Sequence, residues 1–101
     1  MNKYRFALLR YLMGAINSVS PNAKIENNSL HYDVNKTDRD VYGLDIKALA
    51  NKLAADGWEC TLADRHLEAT ATRKDFNCSL TLRFYGKYWD ISTWAYKKSK
   101  K

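Results

Sequence analysis

The fold is decided by the stretch from Cys78 to Tyr96, which reads CSLTLRFYGKYWDISTWAY. Apolar and polar residues alternate on both sides of Gly86-Lys87, and this period of two is typical of half-buried β-strands. A two-residue turn at Gly86-Lys87 predicts an antiparallel hairpin in which Tyr85 lies beside Tyr88. The register then places these pairs on an apolar core face: Phe84 with Trp89, Leu82 with Ile91, Leu80 with Thr93, and Cys78 with Ala95.

The opposite face of this hairpin combines aromatic and basic residues. In the same register Arg83 lies opposite Asp90, and Ser79 lies opposite Trp94. Exposed rings beside cations are suited to stacking with the bases of a single-stranded nucleic acid and to contacting its phosphates. The same residue types are enriched at protein interfaces. The candidate binding residues are Arg83, Tyr85, Lys87, Tyr88, Trp94, Tyr96, Lys97 and Lys98.

The alternating pattern extends back towards the middle of the chain. It reaches Trp58, with candidate turns at Asp64-Arg65 and at Asp75-Phe76. The sequence therefore predicts four antiparallel strands after residue 57. The residues expected to point inward from the first two of them are Trp58, Cys60, Leu62, Leu67, Ala69 and Ala71.

Two amphipathic helices are predicted before these strands. From Tyr4 to about Val19, apolar residues recur at helical spacing while Arg5 is expected away from the apolar face, and Pro21 ends the helix. The second helix has Asp45 as its N-cap and Gly57 as its end. Its apolar face consists of Ile46, Leu49, Ala50, Leu53 and Ala54.

The segment between the helices predicts a short hairpin and a loop. Ile25 and residues 30–34 are expected to form two strands around Asn27-Asn28, and residues 35–43 are expected to form the longest loop. The fold class is thus α+β, a two-layer domain in the order α-β-β-α-β-β-β-β with both helices on one face of an antiparallel sheet. Residues 1–96 are expected to form the single domain and residues 97–101 a basic tail.

Composition and charge narrow the function classes. Hydrophobic residues make up 46% of the 101 residues, and the chain contains no apolar run long enough to cross a membrane, which excludes disorder and a membrane span. The formal charge of +6 comes from the two ends, because residues 21–96 hold ten Lys and Arg against eleven Asp and Glu. The screened positive charge still favours contact with phosphates.

Catalytic chemistry has little support in the sequence. Cys60, Cys78, His31 and His66 have no metal-ligand spacing, and no glycine-rich phosphate loop is present, so we expect no metal, no cofactor and no catalytic residue. Neither cysteine has a context that would activate it as a nucleophile. Two cysteines and no signal peptide indicate a reduced, cytoplasmic protein.

One stretch resembles a known family. Residues 49–58, LANKLAADGW, precede a strand, a turn with His66 and two further strands. This arrangement resembles the helix, Gly-Trp pair and histidine-bearing hairpin of HicA-type mRNA interferase toxins, over about a third of the chain. The resemblance implies an RNA-cleaving histidine at His66 with Arg65 or Glu68 as helpers. The family's Gly-Ser-His reads Asp64-Arg65-His66 here.

Three functional hypotheses follow from the sequence. The leading one is a small non-catalytic regulatory protein that binds nucleic acid, single-stranded or RNA, through the aromatic and basic face and the lysine tail. The alternative is a protein-binding inhibitor or adaptor that uses the same aromatic face. A HicA-like ribonuclease ranks third.

Overall fold

The elements follow one another in the order that the sequence predicts. The computed structural model describes residues 3–27, 38–73 and 75–97. Its elements are α1 (Lys3–Val19), β1 (Lys24–Asn27), β2 (Arg39–Tyr42), α2 (Ile46–Ala55), β3 (Glu59–Ala63), β4 (His66–Arg73), β5 (Phe76–Phe84) and β6 (Trp89–Lys97).

The β5–β6 hairpin has the predicted register. Gly86 adopts a positive φ of 90°, and Tyr85 donates its N–H to the Tyr88 carbonyl at 2.9 Å, which closes the turn. Leu82 lies opposite Ile91, and the other predicted pairs follow in step. The candidate turn at Asp75-Phe76 is displaced, because Phe76 is already the first residue of β5.

The six strands form one antiparallel sheet in the order β1-β2-β6-β5-β4-β3. The last described strand, β6, is central because β2 pairs with its first three residues and β5 with its whole length. The prediction of a loop over residues 35–43 is wrong at residues 39–42, which form β2. The predicted strand at residues 30–34 lies outside the described residues.

The error at β2 has a physical cause. Val41 is its one fully buried apolar side chain, so the strand has no local alternating pattern. It is formed instead by pairing with two strands, because Val41 lies opposite both Ile25 of β1 and Trp89 of β6. A strand that forms by pairing with distant segments has only a weak strand pattern in its own sequence.

The second helix follows its predicted signals. Asp45 accepts a hydrogen bond from the Ala48 N–H at 3.2 Å, as an N-cap does. Beyond the helix, Gly57 has a φ of 95°, a conformation that suits glycine. Leu49 and Leu53 are fully buried and fix α2 against the sheet.

The first helix lies over β6 and beside α2. Leu12 and Ile16 are fully buried, and they meet Leu80, Leu82 and other apolar residues of the sheet. Both helices therefore cover the same face of the sheet, which confirms the predicted two-layer α+β fold. Neither described helix has the length and apolar character needed to span a bilayer.

Candidate functional site

The face of the sheet that the helices leave uncovered, called here the open face, carries Arg83, Trp94 and Tyr96 of the predicted binding residues. The side chains of Trp94 and Tyr96 project from it and are 42% and 56% exposed. Tyr85, at the far end of β5, is 43% exposed. These exposures follow from the register, because the inward positions Thr93 and Ala95 are buried.

Trp94 and Tyr96 form a parallel aromatic pair. They are two residues apart on β6 and therefore lie on the same face. Their ring planes differ by 9° and their centroids are 6.2 Å apart. The exposed rings of Trp94 and Tyr96 are two flat surfaces on which a planar group can stack.

The guanidinium of Arg5 reaches this pair from the other layer. Its Cζ lies 3.9 Å from the centroid of the Trp94 ring. Its Nε donates a 2.6 Å hydrogen bond to the Thr93 carbonyl, and its Nη2 is 3.5 Å from an Asp38 carboxylate oxygen. Arg5 therefore passes around the edge of β6 and brings a positive charge to the aromatic pair.

The burial of Arg5 overturns a sequence expectation. Its exposure is only 2%, although Arg5 is predicted to lie away from the apolar side of α1. The signal was present, because Arg5, Leu12 and Val19 are spaced by seven residues and share one helical face. Thr93 completes the contact by donating its hydroxyl to the Arg5 carbonyl at 3.1 Å.

A second aromatic cluster lies at the other end of the open face. The rings of Tyr85 and Tyr88 flank the hairpin turn with centroids 5.9 Å apart, and Tyr42 of β2 approaches Tyr88 at 5.3 Å. Lys87 is exposed in the turn. Sequence reasoning missed Tyr42 because it fell in the predicted loop. Trp94 follows Tyr88 by six positions, which separates the two clusters by about 20 Å at the usual rise of a strand.

A row of charged residues crosses the open face between the clusters. Asp40 of β2 lies opposite Asp90 of β6, and Asp90 lies opposite Arg83 of β5. Both carboxylates are buried, at 1% and 5% exposure, whereas Arg83 is exposed. The open face is thus mixed in charge, and Arg83 is an exposed cation on it.

His66 continues this row on β4. It lies opposite Arg83, and its Nε2 is 3.6 Å from a carboxylate oxygen of Glu68, just beyond hydrogen-bond distance. One of the two predicted helpers of a ribonuclease histidine is therefore adjacent to it. Arg65, the other, is exposed in the turn before β4.

A polar groove adjoins the aromatic pair. It has a volume of about 550 Å³, and its lining includes the Tyr96 ring and a set of hydroxyl and amide side chains. The Thr72 hydroxyl hydrogen-bonds the Asn77 Oδ1 at 3.2 Å, which directs the amide N–H₂ group of Asn77 to other acceptors. The side chains that contribute hydroxyls are Thr70, Thr72 and Ser79.

A second groove of about 440 Å³ lies on the helix side. At its wall, the Tyr11 hydroxyl donates a 2.6 Å hydrogen bond to Asp56. Burial and the neighbouring carboxylate raise the pKa of Tyr11 to about 12, and the Tyr11 hydroxyl lowers the pKa of Asp56. The guanidinium of Arg73 lies 5.2 Å from the Trp58 ring. This network joins α1, α2 and β4.

The environments of the two cysteines do not favour their acting as nucleophiles. Cys78 is buried and Cys60 is half-buried, and both are free thiols. Burial raises the pKa of each thiol, which lowers the fraction of reactive thiolate at neutral pH. Over residues 3–27, 38–73 and 75–97, no group of three His, Cys, Asp or Glu side chains is placed to hold a metal ion.

The basic end of the chain is only partly described. Lys97, which the sequence assigns to the tail, is the exposed last residue of β6 and lies opposite Phe76. Lys98 lies outside the described residues.

No family model, curated protein or solved structure matches this chain.

Proposed function

We propose that this protein binds a single-stranded nucleic acid across its open face. One observation carries the proposal: Trp94 and Tyr96 stand exposed and parallel, with the Arg5 guanidinium packed 3.9 Å from the Trp94 ring centroid. Stacking platforms of this kind bind bases with little dependence on sequence, because every base has a flat π-face. A duplex does not offer such faces, since its bases are already stacked on one another.

The two aromatic clusters of the open face are far enough apart to contact several nucleotides. Bases stack on Trp94 and Tyr96 at one end and on Tyr85 at the other, about 20 Å away along β6 at the usual strand rise. Hydroxyl groups of the polar groove beside Tyr96 are available to sugars and phosphates. The half-buried Tyr88 supports Tyr85 and Tyr42 and offers less surface to a ligand.

Phosphate contacts are assigned to four cations. Arg83 and Lys87 are exposed near the tyrosine cluster, and Lys97 is exposed at the end of β6, directly after Tyr96. Lys98 follows in the sequence. Each phosphate neutralised on a single strand contributes about 0.7 to the slope of log affinity against log salt, so four contacts give a slope of roughly −3.

The proposal is tested by fluorescence anisotropy with labelled single-stranded RNA and DNA at about 50 mM and about 200 mM salt. Trp94→Ala is expected to weaken binding about 5- to 150-fold, since one lost stack costs roughly 1 to 3 kcal/mol. Trp94→Phe is expected to keep most of the affinity. The matched control is Tyr4→Ala, which removes a ring that is 44% exposed on α1, in the other layer.

A separate variant isolates general electrostatics. Deleting residues 97–101 lowers the formal charge from +6 to +2 and is expected to weaken all nucleic acids alike while flattening the salt slope. Trp94→Ala should leave the slope nearly unchanged. If the wild type fails to bind any single strand at low salt, or if Trp94→Ala binds like the wild type, the proposal is wrong.

The other two hypotheses give different results in the same experiments. An inhibitor or adaptor would hold a protein partner through the tyrosine and tryptophan rings with little salt dependence. A ribonuclease would shorten the RNA, and His66→Ala would stop the cleavage without unfolding the protein. We expect the RNA to remain intact, because the Nε2 atom of His66 is buried, out of hydrogen-bond reach of a substrate on the surface.

A further inference from the structure

The polar groove beside Tyr96 crosses two strands of the open face. The hydroxyl side chains of Thr70 and Thr72 on β4 and of Ser79 on β5 lie along its middle. Tyr96 of β6 lies on one side of them and Glu59 of β3 on the other, because the strand order is β6-β5-β4-β3. With a volume of about 550 Å³, the groove is in the size range of small-ligand sites.

Glu59 gives the groove its charge. Among the described residues that line the groove, Glu59 is the only charged one, and its side chain is exposed. Its carboxylate forms no hydrogen bond or ion pair with another described residue. An ionised carboxylate repels a phosphate and accepts hydrogen bonds from N–H groups. The Glu59 end of the groove therefore suits the donor edge of a nucleobase better than the sugar-phosphate backbone.

Asn77 supplies the complementary group. Its Oδ1 accepts the Thr72 hydroxyl at 3.2 Å, which leaves the N–H₂ group of Asn77 to donate to a ligand. Two strand spacings and two residues separate Asn77 from Glu59, because Glu59 lies opposite Thr70 and Thr70 lies opposite Ser79. The two Cα atoms are then about 12 Å apart at the usual strand geometry. A planar base can therefore lie between an acceptor and a donor.

The bases differ in the donors that they offer to a carboxylate. Guanine has two adjacent donors, N1–H and the N2 amino group, which match the two carboxylate oxygens. Adenine and cytosine place one amino group beside a ring nitrogen that carries a lone pair, and uracil and thymine place one N–H between two carbonyls. In these bases the second carboxylate oxygen would meet a lone pair instead of a proton. A carboxylate therefore favours guanine.

We propose that Glu59 makes this protein prefer strands that contain guanine, by accepting the N1–H and N2–H groups of one base held in the polar groove. The Asn77 N–H₂ group donates to the O6 or N7 acceptor on the other side of the same base. The strand's backbone stays near β6, three strand spacings or about 14 Å from β3. This inference rests on the proposed function and adds to it a sequence preference, which stacking alone does not supply.

The preference is measured by fluorescence anisotropy with labelled uridine strands of about ten nucleotides that carry one central guanosine, adenosine, cytidine or inosine. We expect the guanosine strand to bind about tenfold more tightly than the all-uridine strand, as a bidentate base contact does. Inosine keeps N1–H but lacks the N2 amino group, so it should lose most of this gain. Adenosine and cytidine should gain little.

Glu59→Gln tests the assignment to this side chain. The amide replaces one acceptor oxygen by a donor, so the variant should lose the preference for guanosine and bind the all-uridine strand nearly as the wild type does. The position is exposed, and circular dichroism checks that the variant folds. The matched control is Glu68→Gln, the same change at an exposed position of β4 that does not line the groove. It should keep the preference.

Competition with guanosine monophosphate distinguishes a strand from a free nucleotide. The monophosphate should compete only weakly with the labelled guanosine strand, because a single nucleotide cannot also reach Tyr85 about 20 Å away. If it competed as well as an unlabelled strand, the ligand of the groove would be a free nucleotide, and the inference would be wrong.

The outcomes separate this inference from the proposed function. Equal binding of all strands by the wild type, or a Glu59→Gln variant that still prefers guanosine, would overturn the inference and leave the proposed function standing. A wild type that binds no strand at low salt would overturn both.

Discussion

Replacing Arg5 tests whether a single side chain holds the two layers of this protein together. In Arg5→Ala the Thr93 carbonyl loses a 2.6 Å hydrogen bond from a charged donor, and Trp94 loses a cation 3.9 Å from its ring centroid. A hydrogen bond to a charged group contributes about 1.5 to 3 kcal/mol. A cation–π contact at a partly exposed ring adds about 0.5 to 1 kcal/mol.

These contributions give an expected loss of roughly 3 kcal/mol in the free energy of unfolding. For a domain of about 100 residues this corresponds to a fall in Tm of about 10 to 20 °C. The 3.5 Å contact with Asp38 is left out of this figure because it is too long for a strong hydrogen bond. Arg5→Lys is expected to recover little, because an ammonium group cannot donate to Thr93 and lie flat over Trp94 at once.

Urea unfolding followed by circular dichroism measures the loss. The matched control is Arg10→Ala, which removes an exposed arginine from the same helix and should change the free energy of unfolding by less than about 0.5 kcal/mol. If Arg5→Ala were as stable as Arg10→Ala, the side chain would not join the layers. The buried, hydrogen-bonded guanidinium would then contribute no more to stability than an exposed one.

Two further predictions concern the core and the pH dependence. Leu82→Asp should unfold the domain, because Leu82 is fully buried and the new carboxylate would have no partner. Unfolding would be seen as a loss of the circular dichroism signal and of the melting transition. An unchanged melting curve would contradict the observed register. The raised pKa of Tyr11, about 12 in the folded protein against about 10 when unfolded, favours the neutral form on folding. Its contribution to stability is therefore complete below about pH 10 and is lost as pH rises towards 12, whereas Tyr11→Phe should lack this part of the alkaline slope.

The parts of the fold that were predictable are those specified by neighbouring residues. The Gly86-Lys87 turn fixes the register of β5 and β6, so the exposure of Trp94 and Tyr96 followed from the sequence. The second helix carries its own capping signals at Asp45 and Gly57. In each case a few adjacent residues decide the geometry.

The parts that were missed depend on residues far apart in the chain. Tyr42 joins the tyrosine cluster because β2 pairs with β6, and the sequence around Tyr42 gives no sign of that pairing. Arg5 is buried against Thr93, which lies 88 positions later in the chain. Leu62 is exposed because β3 is the outermost strand, and strand order is a property of the whole sheet.

The central position of β6 has a consequence for how the chain acquires its structure. During synthesis β2 emerges well before β6, but it meets the rest of the sheet through Trp89, Asp90 and Ile91 of that later strand. Loops that close over such long stretches slow folding, because their entropy is lost before the contacts form. We therefore expect a chain shortened before residue 89 to remain unable to join its two halves, and the ribosome-bound protein to complete its sheet only after the final strand has been released from the exit tunnel.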